Sequence, residues 1–274
     1  MNPADESQYE LGEQDFRRIR DMLHARAGID LGPEKRALVA NRLHRRLRAL
    51  DLATYEEYAD LVLQPGQERE QQLAVDLLTT NETYFFREPQ HFTFLKDWVT
   101  TNDKPTREWR IWSAACSSGE EAYSIAMTLA DALGPTRWEV TGSDISRRVL
   151  TRAQRAHYQM LRMEFFPTDY LRRFCLKGNG PEEGTLLVDR SIRQRVKFRP
   201  VNLMERLPEM GTFDAIFLRN ALIYFNRDDR ESIVRRVQAA LRPKGHLFVS
   251  HSESLHGLAD GLDLVRPSVY HKPG

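Results

Sequence analysis

Residues 113–126, SAACSSGEEAYSIA, read as the end of a strand, a tight turn and the start of a helix. The turn is built of small residues: Ala114, Ala115, Ser117, Ser118 and Gly119. Such a turn usually leads a nucleotide phosphate to the free N–H groups of a helix N-terminus. Here Glu120 and Glu121 stand where the helix begins. Around this stretch the chain alternates short apolar runs (WRIWSAA, WEVTGSD, RVKFRPV, FDAIFLRN, GHLFVSH) with helical stretches at 120–133, 145–156 and 228–241. That alternation predicts an α/β fold with buried parallel strands. LDLVRPSVYHK reads as a terminal hairpin. CLKGNGPEEGTLLVDRSI, with Gly178, Gly180, Pro181 and Gly184, reads as a small β insertion.

The first 80 or so residues have a different texture. Phe16, Ile19, Leu23 and Ala27 recur at helical spacing and Gly28 stops the helix. Gly32-Pro33 opens a second helix with Val39, Leu43, Leu47 and Leu50 on one stripe. Thr54 caps a third, TYEEYADLVL, and residues 67–80 form a fourth.

Composition bounds the rest. The 274 residues carry 40 basic and 39 acidic side chains, so no global charge points to nucleic acid. A hydrophobic share of 41% and a charged share of 29% fit a globular protein. No run of about 18 apolar residues suggests a membrane span. MNPADESQYE is acidic and polar, unlike a signal peptide, and the expected location is the cytoplasm. Cys116 and Cys175 form neither a disulfide framework nor a metal spacing, and no metal is expected.

Asp144 ends WEVTGSD, 25 residues past Gly119. An acid at the tip of the second strand can accept hydrogen bonds from ribose hydroxyls. Its other reading is a cap for the helix ISRRVLTRA. A diphosphate set against Glu120 and Glu121 would be penalised, at about 4 kcal/mol for unit charges about 4 Å apart at an effective dielectric of about 20. A cationic ligand would gain instead, which favours S-adenosylmethionine, with its ribose, sulfonium and ammonium, over a nicotinamide dinucleotide. The glutamates also have a plainer reading, as acids complementing the helix dipole.

With these residues assembled, the chain resembles the chemotaxis-receptor glutamate methyltransferases, the CheR-type family. The resemblance runs in order through TTNETYFFREPQHF, IWSAACSSGEEAYSIA, TGSDIS, VNL, FLRNALIYF, the Pro-Lys-Gly turn at 243–245 and SHSESL. One departure is Ala122, where the family pattern usually has proline; alanine suits a first helical turn. The resemblance implies a Rossmann-like S-adenosylmethionine-dependent methyltransferase sheet with a helical N-terminal domain and a small β subdomain. The expected boundaries are 1–82 for a receptor-docking domain with linker and 83–274 for the catalytic domain, with the insertion at about 176–198.

By the same resemblance, Asn81, Thr83, Arg87, Glu121, Asp144, Asn202, Leu203, Arg219 and Asn220 match cofactor-binding positions. Tyr224 matches a tyrosine near the transferred methyl, and Arg87 and Tyr224 are the expected catalytic residues, orienting the reacting groups. The implied product is S-adenosylhomocysteine and the implied substrate a glutamate in the cytoplasmic helical region of chemoreceptors. A receptor C-terminal tail at the β insertion is a further implied partner. Arg42, Arg45, Arg46 and Arg48 lie off the leucine stripe of the second helix and are the expected docking cations. Neither nucleic acid nor membrane insertion is expected. Two other functions stay open from the residues: a methyltransferase for another receptor or a small molecule, and a non-catalytic S-adenosylmethionine-binding module.

Several residues keep plainer readings. Asn81 reads also as a helix C-cap, Arg87 as a surface partner of Glu88, Tyr224 as core and Asn202 as a strand end. His246, His251 and His256 read as structural, and Trp109 and Trp112 as packing. Cys116 is not expected to act as a nucleophile, because neighbouring acids raise a thiol pKa.

Overall fold

The computed structural model describes residues 10–103, 108–134 and 137–274. The N-terminal segment discussed above falls mostly outside them. The described chain divides into two units, one comprising the residues up to Thr80 with Tyr224–Asp229, the other Asn81–Ile223 with Arg230–Gly274.

The first unit holds α1 (Glu13–Ala27), α2 (Arg36–Ala49), α3 (Tyr55–Leu63) and α4 (Glu68–Leu78). The apolar stripes explain its core: Phe16, Ile19, Leu23 and Ala27 of α1 and Val39, Leu43 and Leu47 of α2 are buried. Gly28 ends α1 at φ 70°, a left-handed cap natural to glycine, and its N–H donates to the His24 carbonyl. Pro33 opens a 3-10 turn over Pro33–Lys35, so α2 proper starts later than the Gly-Pro signal suggests. Thr54 and Glu57 form a reciprocal capping box at the start of α3.

The second unit opens with α5 (Pro89–Asn102) and β1 (Trp109–Ala114), then α6 (Glu120–Leu133), β2 (Trp138–Asp144) and α7 (Arg147–Arg155). β3 (His157–Gln159), α8 (Thr168–Phe174), β4 (Cys175–Lys177), β5 (Thr185–Val188) and α9 (Arg190–Arg193) follow. It closes with β6 (Val196–Pro200), β7 (Phe213–Leu218), α10 (Arg227–Ala240, whose first residues fall in the other unit), β8 (Leu241–Phe248), β9 (Asp263–Arg266) and β10 (Val269–His271). Among the described residues the main sheet has seven strands in the order β6-β2-β1-β7-β8-β10-β9. β6, β2, β1, β7 and β8 are parallel, and the terminal hairpin adds β10 and β9 antiparallel. The central parallel strands β2, β1 and β7 are buried on both faces, as their continuous apolar runs require. Trp109, Trp112 and Trp138 are fully buried, so the tryptophans are packing residues.

The register aligns the strand ends. Ala114 lies opposite Ser143 and Leu218, Asp144 opposite Pro200, and Phe217 opposite Phe248. The segments after β1, β2, β6, β7 and β8 therefore emerge along one edge.

A second sheet, β3-β5-β4, is antiparallel. It begins at His157, earlier than the expected 176, and Val196–Pro200 belongs to the main sheet instead. A three-residue strand is too short to show alternation in a sequence, which is why β3 is missed. Helices α5 and α8 also went unpredicted. They are fastened to α6 through Asp131, whose carboxylate accepts from Lys96 Nζ (2.6 Å), Tyr170 Oη (2.7 Å) and Arg173 Nη1 (2.5 Å). Burial alone would raise the Asp131 pKa, but these three donors outweigh it and bring it down to about 2. A depressed carboxylate contributes stability above its unfolded value, of about 4, and loses it as pH falls through the folded one. Asp131→Asn is expected to lower the melting temperature near neutral pH. Calorimetry should find the gap from wild type shrinking as pH drops below about 4; a gap constant with pH would refute the assignment.

Candidate active site

The turn between β1 and α6 lies at the centre of the aligned edge. Ala115, Ser117 and Gly119 adopt φ of 60°, 50° and 95°. A Cβ on Gly119 would lie 2.7 Å from the Ala153 Cβ and 3.0 Å from the Tyr158 hydroxyl, so both conformation and space call for glycine. Tyr158, from β3, is buried and donates to the Ser118 carbonyl at 2.8 Å. The small sheet thus supports the turn directly, a role without a signal in the sequence.

Asp144 joins this turn to the next. One carboxylate oxygen accepts the Ser117 N–H (2.9 Å) and the other the Ser146 N–H (2.9 Å). Asp144 therefore splices two loops, while the side-chain cap of α7 is Ser146, which accepts the Val149 N–H.

The two glutamates are not bare anions. Glu120 is buried and accepts from Ser118 Oγ at 2.7 Å. Glu121 accepts from Ser113 Oγ (2.7 Å) and from Arg219 Nη1 (2.9 Å). Burial raises the pKa of both carboxyls, opposed at Glu121 chiefly by Arg219. The sequence reading, a cationic ligand or the helix dipole as the complement of these acids, omits a cation that the chain supplies itself. Arg219 follows β7 and is almost wholly buried. Its Nη2 donates to the Arg87 carbonyl (2.6 Å) and lies 3.1 Å from Glu88 Oε2. Two carboxylates share one guanidinium, leaving the local balance negative.

Glu88 carries further contacts. Its Oε1 accepts the His251 N–H at 3.3 Å, and its Oε2 lies 3.4 Å from His91 Nδ1 and 3.8 Å from His251 Nε2. His91 Nε2 and His251 Nδ1 both meet Ser268 Oγ, at 2.7 and 3.2 Å. Burial, then Arg219, push the His91 pKa down to about 3, so His91 is neutral. Donor atoms of Glu88, His91 and His251 lie within 4.8 Å of one another, a metal-like spacing, but the cation facing Glu88 there is the Arg219 guanidinium. Glu88 therefore pairs with Arg219 rather than Arg87.

The segment 81–88 is anchored by aromatic packing. The Phe85 ring meets Tyr158 and Phe166, each at 5.0 Å; the Phe86 ring meets Phe92 (5.1 Å) and Phe166 (5.2 Å). The Asn81 carbonyl accepts from Ser117 Oγ at 3.1 Å. Thr83 and Arg87 are half-buried, with the Arg87 guanidinium 5.6 Å from the Tyr84 ring centroid. At the far side of the edge, Asn202 forms a turn with Met204 and Glu205, and Arg236 holds the carbonyl of the buried Leu203 through Nε and Nη2. Asn220 stands at φ 55° directly after Arg219. Asn81, Thr83, Arg87, Glu121, Asp144, Asn202, Leu203, Arg219 and Asn220 thus all belong to the second unit. Tyr224 falls in the first, where its carbonyl accepts the Asp30 N–H at 2.9 Å.

Of the α2 arginines, two are committed within the first unit. Arg42 donates to the Leu78 (2.8 Å) and Thr79 (3.1 Å) carbonyls. Arg46 pairs with buried Glu70 through Nε (2.8 Å) and Nη2 (2.5 Å), and Tyr58 donates to the same carboxylate. Arg45 and Arg48 are exposed. Charge counting along a helix overstates the cations that α2 offers to a partner.

A parallel sheet with a ribose-type acid after β2 and an acidic, phosphate-averse turn after β1 defines a nucleoside-binding framework suited to S-adenosylmethionine. The residues fit that ligand: an acid at the end of the second strand is of the type that meets ribose hydroxyls, and two acids in the first turn of α6 suit a cationic donor. The fold and site are those of an S-adenosylmethionine-dependent methyltransferase. Residues 81–270 match the CheR methyltransferase, SAM binding domain, and residues 14–79 the CheR methyltransferase, all-alpha domain. The chain belongs to the CheR methyltransferase family. It is 42% identical over 263 residues to the chemotaxis protein methyltransferase of Salmonella typhimurium, spanning 95% of this chain and 90% of that one. It is also 42% identical over 263 residues to the Escherichia coli protein of the same name, spanning 95% and 91%. Chemotaxis protein methyltransferase 2 of Pseudomonas aeruginosa is 43% identical over 269 residues, spanning 96% and 94%. Among the described residues no helix is long and apolar enough to cross a membrane.

Gly119→Ala is expected to weaken binding of S-adenosylhomocysteine at least tenfold by titration calorimetry, because the turn cannot keep its path. Unchanged affinity would show that the turn does not shape the cofactor site.

Proposed function

We propose that this chain transfers the methyl group of S-adenosylmethionine to glutamate side chains of chemoreceptors in the cytoplasm, forming glutamyl methyl esters in sensory adaptation. The observation that carries this reading is 42–43% identity to chemotaxis protein methyltransferases across nine-tenths or more of both lengths.

When bound, the cofactor supplies a methyl group already activated on a sulfonium. The acceptor needs no general base, since a glutamate with a reference pKa of about 4.3 is ionised near neutrality. A carboxylate oxygen gains the methyl, the sulfur keeps the bonding pair, and no proton moves. The protein's work is then alignment and exclusion of water, and alignment alone is worth up to about 7–11 kcal/mol in well-oriented systems. In this reading Asp144 binds the ribose, Asn202 and Leu203 border the adenine, and Asn81, Thr83 and Asn220 complete the contacts. Arg87 and Tyr224 orient the reacting groups. Glu121 sets the charge of the pocket wall, and Arg219 acts mainly by holding Glu121 and the 87–88 backbone. The Cys116 thiol has no part, because burial first, and then Asp144, Glu121 and Glu120, raise its pKa well above the usual thiol range. A small sheet with exposed Leu176 is where a receptor tail would pair.

A tritiated-methyl assay on membranes containing chemoreceptors, read as base-labile label, tests the activity; no label above background defeats the reading. Tyr224→Phe is expected to leave S-adenosylhomocysteine affinity within twofold and to cut turnover at least tenfold. Retained turnover removes Tyr224 from its role.

Receptor docking has its own test. Combined Arg45→Glu and Arg48→Glu is expected to raise the receptor KM several-fold, with the effect falling as salt rises, at unchanged cofactor affinity. A KM unmoved at low salt would clear α2 of a docking role.

A further inference from the structure

SHSESL contains a buried carboxylate that the proposed chemistry does not use. Glu253 accepts three backbone N–H groups: Asn220 (2.8 Å) and Ser250 (2.9 Å) on Oε2, and Leu222 (2.8 Å) on Oε1. Its own N–H donates to the Ser250 carbonyl at 3.0 Å, closing a turn just beyond β8. One side chain therefore ties the segment after β8 to the segment after β7, at the edge where the parallel strands end. The consequence falls on Asn220. Its φ of 55° lies in the left-handed region, which a residue other than glycine enters at a cost unless its surroundings enforce it. Asparagine is among the few residues that tolerate it. The Asn220 side-chain amide is half-buried and makes no hydrogen bond among the described residues, whereas its N–H is fixed. A polar side chain held by its backbone and left without an internal partner is available to a ligand.

We infer that Glu253 is a positioning residue for cofactor binding, acting through Asn220 by fixing its backbone in the left-handed conformation that presents its amide. This rests on the reading of the edge as the cofactor edge. A carboxylate suits the task because it only accepts: an ionised glutamate offers lone pairs to all three N–H groups, whereas a glutamine would turn an NH₂ toward at least one of them.

The test is a double-mutant cycle in the full chain on Glu253→Gln and Asn220→Ala, read as the Kd of S-adenosylhomocysteine by calorimetry well below each variant's melting temperature. Each single variant is expected to weaken binding about tenfold or more, and the double variant no further than the weaker single one. A merely structural Glu253 would lower the melting temperature but leave the effects on Kd additive, or leave Kd unmoved; either result overturns the inference. If Glu253→Gln does not fold, Glu253→Asp replaces it in the cycle, since the shorter side chain keeps the charge but cannot span all three amides. The cycle needs no methyl acceptor, so it stands apart from the receptor assay. Absence of base-labile label with a coupled cycle would defeat the substrate and keep the positioning role.

Discussion

The site depends on one buried guanidinium. Arg219 leaves the end of β7 and meets Glu121 from the β1–α6 turn, Glu88 from the start of α5, and the carbonyl of Arg87. It thereby joins three segments at the edge where the parallel strands end. Removing one partner of a buried ion pair typically costs about 3–5 kcal/mol, because the other charge stays buried and unpaired. The arrangement is also asymmetric in sign. Two carboxylates meet one guanidinium, so neither acid is left bare.

Around this ion pair the loops are braced by groups that accept from backbone. Asp144 receives two main-chain N–H groups and Glu253 three, while the Ser118 carbonyl takes the Tyr158 hydroxyl. Loop backbone at a sheet edge has no ladder to satisfy it, and buried N–H groups left unpaired are costly. Side-chain carboxylates here do what strand neighbours do within the sheet. The result is a set of turns, several at positive φ, held in shape by the chain's own groups.

What the sequence discloses and what it conceals divide by distance along the chain. The stripes of α1 and α2, the strand–turn–helix at 109–133 and the strand-end acid Asp144 are local patterns, and they form where their spacing predicts, except that Leu50 falls past the end of α2 and is only half-buried. The pairing of Glu121 with Arg219 spans 98 residues, and Glu253 with Asn220 spans 33. Such contacts are made by the order of strands in the parallel sheet, which no local periodicity encodes. The contacts of Glu88 with Arg219 and His251, and of His91 with Ser268, are long-range in the same way. Among the α2 arginines the local pattern misled: four cations share a polar arc, but Arg42 serves the carbonyl end of α4 and Arg46 serves Glu70.

The small sheet departs from the main one and rejoins it at nearly the same point. The Val188 N–H donates to the Ala156 carbonyl at 3.0 Å, so the excursion begins and ends on neighbouring backbone. Its base is fixed by Tyr158, and Phe166 and α8 are packed on the rest of the unit, while the connection between β4 and β5, residues 179–184, is exposed. Chain closed at its stem adds little entropy per inserted residue, of about 0.6 kcal/mol for each doubling of length. The β4–β5 connection is accordingly free to lengthen, shorten or exchange its surface over evolutionary time, provided that the tyrosine at the root of the sheet keeps its hold on the turn.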